Sequence, residues 1–385
     1  MNKTKLLKNL LPGALGLAAC MQASAAIEFY DKDDTTVSID ASFNTFYTST
    51  STDNDISGND RDQSRVKMGF LPNWVGFNFK KKVDDLTFGG RASFWVSIND
   101  SDESPTDGLI DTRQFYGTVD GAFGQVLFGK DFTLFNRSNV FNDEILLGYG
   151  WVNDTIGLTD GNNVSFGNIG SGYIYPLPTS QITYRTPTIG GFKLAIGIID
   201  PSRTNGDDDA EEEAPRFEGE LTYNTAWDDG TLAAWVGGLQ QSSSGSTTSD
   251  VDSTGVSFGA RVKIGGLALH ASGYDGEGIG MLIGPADAQG LGLSNLVVEN
   301  EDEIDSSGWL TQASYTMGTN RLALSFGQSE IDNAGDWENE TRTVAWFHRI
   351  NSTFTTAVEF TQNEFEIGGD TEEADTFGIG LIVNF

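Results

Sequence analysis

Apolar side chains fall on every second residue in short segments along most of the chain, and this alternation limits the possible folds more than any other feature. Val256, Phe258, Ala260, Val262 and Ile264 alternate with Ser257, Gly259, Arg261 and Lys263. Leu322, Leu324 and Phe326 alternate with Arg321, Ala323 and Ser325. At the carboxyl end, Phe377, Ile379, Leu381, Val383 and Phe385 oppose Gly378, Gly380 and Asn384. Near the start, Val37, Ile39, Ala41, Phe43 and Tyr47 oppose Ser38, Asp40, Ser42 and Asn44. A period of two means strands with one apolar and one polar face.

The connections carry a second pattern. Short turns at Asp84-Asp85, Asp228-Asp229-Gly230, Gly265-Gly266, Gly318-Thr319-Asn320 and Asn351-Ser352 alternate with long polar stretches. Those stretches cover residues 51–63, 201–215, 241–254, 275–305, 330–339 and 363–374. A soluble sandwich has no reason to collect its long connections at one end or to present so many apolar residues outward. A transmembrane antiparallel β-barrel does both, and about sixteen strands fit the pattern. Closure also pairs every backbone N–H and C=O within the protein, as a bilayer requires. The expected fold is therefore all-β, a single barrel over residues 27–385. No apolar run after the first residues reaches the roughly 20 positions that a membrane-spanning helix needs.

Residues 1–26 are expected to be a signal peptide. Lys3, Lys5 and Lys8 precede a short apolar core and the small-residue site Ala23-Ser24-Ala25-Ala26. Leu17-Ala18-Ala19-Cys20 offers a competing lipoprotein site, disfavoured by the complete cleavage site that follows it. Cys20 is the only cysteine, so removal of the leader excludes disulfides and thiolate metal sites. The formal charge of −32 excludes nucleic acid as a partner, because such binding is built on basic residues. The same acidity favours cations in a confined aqueous path.

One segment breaks the hairpin rhythm. Residues 131–179 form a connection of roughly fifty residues, a length that marks binding loops, lids or plugs. Phe132, Phe135, Phe141, Tyr149, Trp151, Phe166, Tyr173 and Tyr175 lie within it. That aromatic content is foreign to disordered segments. The segment is expected to fold into the lumen and narrow it. His270 and His348 are the only histidines, far apart and without a nucleophile elbow, so no catalysis is expected. The acidic blocks at 207–213 and 299–305 lack the spacing of a dedicated metal loop, and no cofactor is expected.

The chain resembles the Gram-negative porin family, the sixteen-stranded trimeric barrels of the bacterial outer membrane. The resemblance is carried by Trp74-Val75-Gly76-Phe77-Asn78-Phe79, Arg113-Gln114-Phe115-Tyr116-Gly117, Phe123-Gly124-Gln125-Val126-Leu127-Phe128-Gly129-Lys130, Ile182-Thr183-Tyr184-Arg185 and the terminal Phe385. It implies that residues 131–179 are the constriction loop and that Phe385 belongs to the carboxyl-terminal assembly signal. It also implies homotrimers among outer-membrane lipid and lipopolysaccharide. Family constrictions set loop carboxylates against wall arginines. Here Arg113 matches such an arginine, two other positions read as Trp74 (or Asn73) and Leu177, and Asp143 and Glu144 lie nearest the acidic tip.

The expected acidic constriction is Asp131, Asp143, Glu144, Asp154 and Asp160. The expected basic wall is Arg91, Arg113, Arg185, Arg261 and Lys263, since such rings tune ion passage. The function implied is passive diffusion of small hydrophilic solutes and ions with a preference for cations. A selective channel with a track at Tyr149, Trp151 and Tyr173, or an adhesin or receptor barrel, are the alternatives.

Overall fold

The computed structural model describes residues 26–100, 110–156, 159–160, 164–201, 211–244, 250–281, 298–299, 302–332 and 335–385. The leader and Asp207 to Asp209 lie outside these residues. The strands are β1 (Ile27–Lys32), β2 (Thr35–Asn54), β3 (Arg61–Lys67), β4 (Asn73–Val83), β5 (Leu86–Val96), β6 (Ile110–Gly121) and β7 (Gly124–Phe132). After the long loop come β8 (Pro178–Arg185), β9 (Phe192–Ile199), β10 (Arg216–Trp227), β11 (Gly230–Ser243), β12 (Val251–Ile264) and β13 (Leu267–Glu277). A two-strand ribbon, β14 (Val298–Glu299) with β15 (Asp302–Glu303), precedes β16 (Asp305–Met317), β17 (Asn320–Asp332), β18 (Trp337–Arg349), β19 (Phe354–Ile367) and β20 (Asp370–Asn384).

Every pairing in the wall is antiparallel, and β2 closes the ring against β20 from Ser42↔Asn384 to Asn54↔Glu372. The result is a closed sixteen-strand barrel. Two details reconcile that number with the eighteen strands of the sheet. β3 and β4 share one wall position, each pairing with a different half of β2. β1 pairs with the foot of β2 on the edge that β20 occupies higher up.

Turn chemistry sets the hairpins. Asp33 and Asp34 both take positive φ (54° and 57°), and so do Gly368 and Gly369 (61° and 91°), the geometry that matches strand twist in two-residue turns. Of three expected long loops, at 241–254, 330–339 and 363–374, the described residues are largely strand. β19 runs to Ile367 and β20 restarts at Asp370. These extensions read as loops because their outward faces turn polar, leaving only scattered inward apolar residues such as Ile331 and Phe365. Beyond the hydrocarbon the outer face of a barrel strand meets water, so the period-two signal fades while the hydrogen-bond ladder continues.

The side-chain parity follows the alternation. Phe258, Leu324 and Leu381 are exposed on the outer face, while Ser257, Ala323 and Ile382 are buried on the inner one. Tyr47, Trp227, Tyr315 and Trp346 are exposed outside, as interfacial aromatics would be. Trp95 and Trp235 point inward and are buried. A basic residue facing lipid near the barrel midplane costs about 2–4 kcal/mol. Leu324→Arg should therefore depress folding into lipid vesicles, whereas Asn224→Arg, on the inward parity of β10, should fold normally; equal yields would refute the parity.

Candidate functional site

The described residues of 133–177 enter the barrel and line its inner wall. They begin with a short helix, α1 (Arg137–Phe141), whose cap residue Asn136 has a φ of 59°. The sequence drives this inward path in two ways. Loop apolar residues need cover: Trp151 and Tyr173 are fully buried, and Tyr149, Val152 and Ile174 nearly so. The wall supplies it by placing small or apolar residues at inward positions that would otherwise be polar. Leu310, Ala323, Ala345, Ala357, Ile382 and Phe46 join one cluster with the loop aromatics. Each large apolar side chain buried in this way contributes about 1.5–3 kcal/mol.

The backbone of the loop needs acceptors, and wall carboxylates provide them. Glu218 of β10 accepts the N–H groups of Leu134 and Phe135 at 2.6 and 2.8 Å. Glu220 accepts that of Ser138. Glu359 of β19 accepts those of Tyr149 and Gly150 at 3.1 and 2.6 Å. Glu372 of β20 accepts those of Asp154 and Thr155. The four carboxylates are buried. Sequence reasoning missed them as a group, although each lies on the inward parity of its strand.

The expected acidic residues are brought into the lumen, each with a donor close by. Asp131 accepts from Gln114 at 2.9 Å and faces Arg137 at 3.4 Å. Asp143 accepts from the Tyr173 hydroxyl, Asn168 and Gln312 at 2.8, 2.9 and 2.6 Å. Glu144 meets Arg261, Arg321 and the Ser314 hydroxyl. Asp131, Asp143 and Glu144 are all buried, so they anchor the loop rather than face open water. Asp154 and Asp160 are less buried and pair with Arg61, and Asp160 also with Arg65.

Of the expected basic residues, only Arg261 meets a carboxylate of the long loop. Arg91 pairs with Asp40 of β2 at 2.6 Å. Arg113 pairs with Asp111 at 2.9 Å, donates to the Tyr175 hydroxyl at 2.8 Å and lies over the Trp95 ring. Arg185 donates to Gln125. Lys263 is exposed near the short-turn end, with no ion pair among the described residues. Trp74 stacks on Trp95 with centroids 4.9 Å apart, an aromatic pair at a position where the resemblance implied an arginine. Arg61, Arg65 and Arg137 were missed, because polar flanks and a loop position gave them no parity; Arg321 had the inward parity of its strand but was not counted with the basic wall.

Residues 13–368 match the model of the Gram-negative porin. The chain belongs to that family. This porin is accordingly an outer-membrane channel. Among solved structures it is similar to the outer-membrane channel DcaP of Acinetobacter baumannii, with a TM-score of 0.69 and 16% identity over 93% of this chain and 99% of that one. The anion-selective porin from Comamonas acidovorans aligns with a TM-score of 0.67 and 15% identity over 91% and 100%. Salmonella typhi OmpF, in complex with daunomycin, aligns at 0.54 and 13% over 93% and 100%. At these identities the likeness is one of fold. No curated protein matches the porin in sequence.

Glu144 offers a test of the anchorage. Burial opposes its ionisation, but the charges of Arg261 and Arg321 and the Ser314 hydroxyl outweigh burial and hold its carboxyl below the ordinary glutamate value. A lowered folded-state value stabilises above the unfolded one and is lost as pH falls through the folded one. Glu144→Gln should lower the opening free energy of nearby loop amides, read by hydrogen exchange at neutral pH, by about 1.5–3 kcal/mol. The gap between variant and wild type should close in acid, once the wild-type carboxyl is protonated.

Proposed function

We propose that this porin passes small hydrophilic solutes and ions passively, with a preference for cations at low salt. The observation that carries the reading is a long loop fixed inside a closed barrel, which narrows the lumen without needing a moving part. The cation preference draws on the strand ends beside the long connections. There Asp305 stands opposite Asp332, Glu340 opposite Glu364, and Glu364 opposite Glu373, which itself faces Asp53; all six lie on the outward parity of their strands and so ring the mouth from its outer rim. Carboxylates deeper in the lumen are buried and held by arginines or by neutral donors, so on this reading the acidic rim of the mouth sets the preference. Asp154 and Asp160 are its nearest loop members, and Arg91, Arg113, Arg185, Arg261 and Lys263 form the basic wall that works against it.

Exposed charges act over a Debye length of about 8 Å at physiological ionic strength. The reversal potential in a salt gradient should therefore indicate cations at low salt and drift toward neutrality as salt rises. Replacing Glu364 and Glu373 by Gln should shift it toward anions, and Arg185→Gln should shift it the other way. Anion preference of the wild type at low salt would refute the assignment. A selective track over Tyr149, Trp151 and Tyr173 is not favoured, because all three rings are buried.

The reading extends to assembly. The outer face meets lipid and lipopolysaccharide, and the functional unit is a homotrimer; one similar structure, OmpT of Vibrio cholerae, is described in a trimer form. Phe385 donates its N–H to the Ala41 carbonyl at 2.9 Å and sets its ring edge-on to Phe43, so the last residue contributes to the seam. We assign it to the assembly signal. Deleting Phe385 should lower the amount of barrel in the outer membrane while export to the periplasm continues, and unchanged surface levels would count against this.

A further inference from the structure

Between β3 and β4 the wall is interrupted. β2 advances four residues from Phe46 to Ser42, while the facing chain advances seven from Lys67 to Trp74. The surplus leaves the ladder and turns into the lumen, where Met68 and Phe70 are 1% and 5% exposed. Side chains of the wall and the following loop hold this turn in place. Met68 donates its N–H to Asn99 Oδ1 at 2.8 Å, and Gly69 donates to Asn44 Oδ1 at 2.6 Å. Asn44 Nδ2 in turn donates to the Leu71 carbonyl at 2.8 Å. A bulge that merely re-aimed a strand would not need so many partners.

The turn ends on the constriction loop. Phe70 donates its N–H to the Gly148 carbonyl at 3.0 Å. Its ring lies flat against Gly167, where an added Cβ would come within 2.6 Å of the ring. Gly167 is bridged in parallel to Gly150, so the outgoing and returning passes of the loop touch at this point. On the other side, Gly150 donates to Glu359 of β19 at 2.6 Å. The doubled loop is thus gripped between an apolar ring from one part of the wall and a carboxylate from another.

We propose that Phe70 is a positioning residue for solute passage: it presses both passes of the constriction loop toward β19 and thereby fixes the width of the open path. Glycine at 150 and 167 is what allows the passes and the ring to approach so closely. The inference rests on the channel reading above, and the two are tested separately. Stable conductance steps of the wild type test the channel, while variants at the contact test the latch.

The experiment is planar-bilayer recording and liposome swelling with the full-length porin and with Phe70→Ala, Phe70→Leu and Gly167→Ala. Loss of the ring in Phe70→Ala should shift single-channel conductance upward, add open-channel noise and reduce discrimination between a monosaccharide and a tetrasaccharide. Gly167→Ala should reproduce this by pushing the ring away from the loop side. Phe70→Leu, which keeps apolar bulk, should restore most of the wild-type behaviour. A purely structural role would lower the yield of inserted barrels and leave inserted channels unchanged. Wild-type conductance and size discrimination in both Phe70→Ala and Gly167→Ala overturn the proposal. Should Phe70→Ala fail to insert, Gly167→Ala alone decides between the same two outcomes.

Discussion

A loop placed inside a barrel must find acceptors for its own backbone, and the rest of the site depends on how that need is met. Water is scarce where the loop packs on the wall, and an unpaired buried N–H costs roughly as much as a lost hydrogen bond. Four buried glutamates of the wall meet much of the demand, three of them accepting adjacent amides. Each carboxylate is stabilised in return by the dipoles it receives. The loop is therefore held by its main chain as well as by its side chains.

The same arrangement divides the acidic residues into two populations. Asp143 and Glu144 are saturated by donors and packed away. The carboxylates of the extended strand ends stand in cross-strand pairs of like charge, an arrangement that opposes pairing unless water screens it. A net charge of −32 is thus a poor guide to the field within the constriction. What an ion meets first and what it meets in the narrows are set by different residues.

Much of the architecture was legible in the sequence. Alternation located the wall strands, and the parity it assigned to Val256 to Ile264, Leu322 to Phe326 and the final strand matches their burial. Length and aromatic content singled out the loop. Two kinds of information were hidden. Polar strand extensions looked like loops, since their outward faces lose the apolar residues that mark a wall strand. The partners of each charge were hidden as well, because Glu359 and Gly150, or Arg61 and Asp154, are brought together by closure alone. Parity could have marked Glu218, Glu220, Glu359 and Glu372 as inward carboxylates, but their use as anchors required the path of the loop.

That path crosses the seam. The loop binds Glu372 on β20 and Arg61 on β3, which flank β2 on its two sides. β2 and β20 lie at opposite ends of the chain, and bringing such distant segments together carries a large loop-closure cost. A loop that touches both neighbours of β2 acts as a brace spanning the join. Seating the loop and closing the ring thereby become one cooperative event, and a barrel that has closed correctly already contains its own constriction.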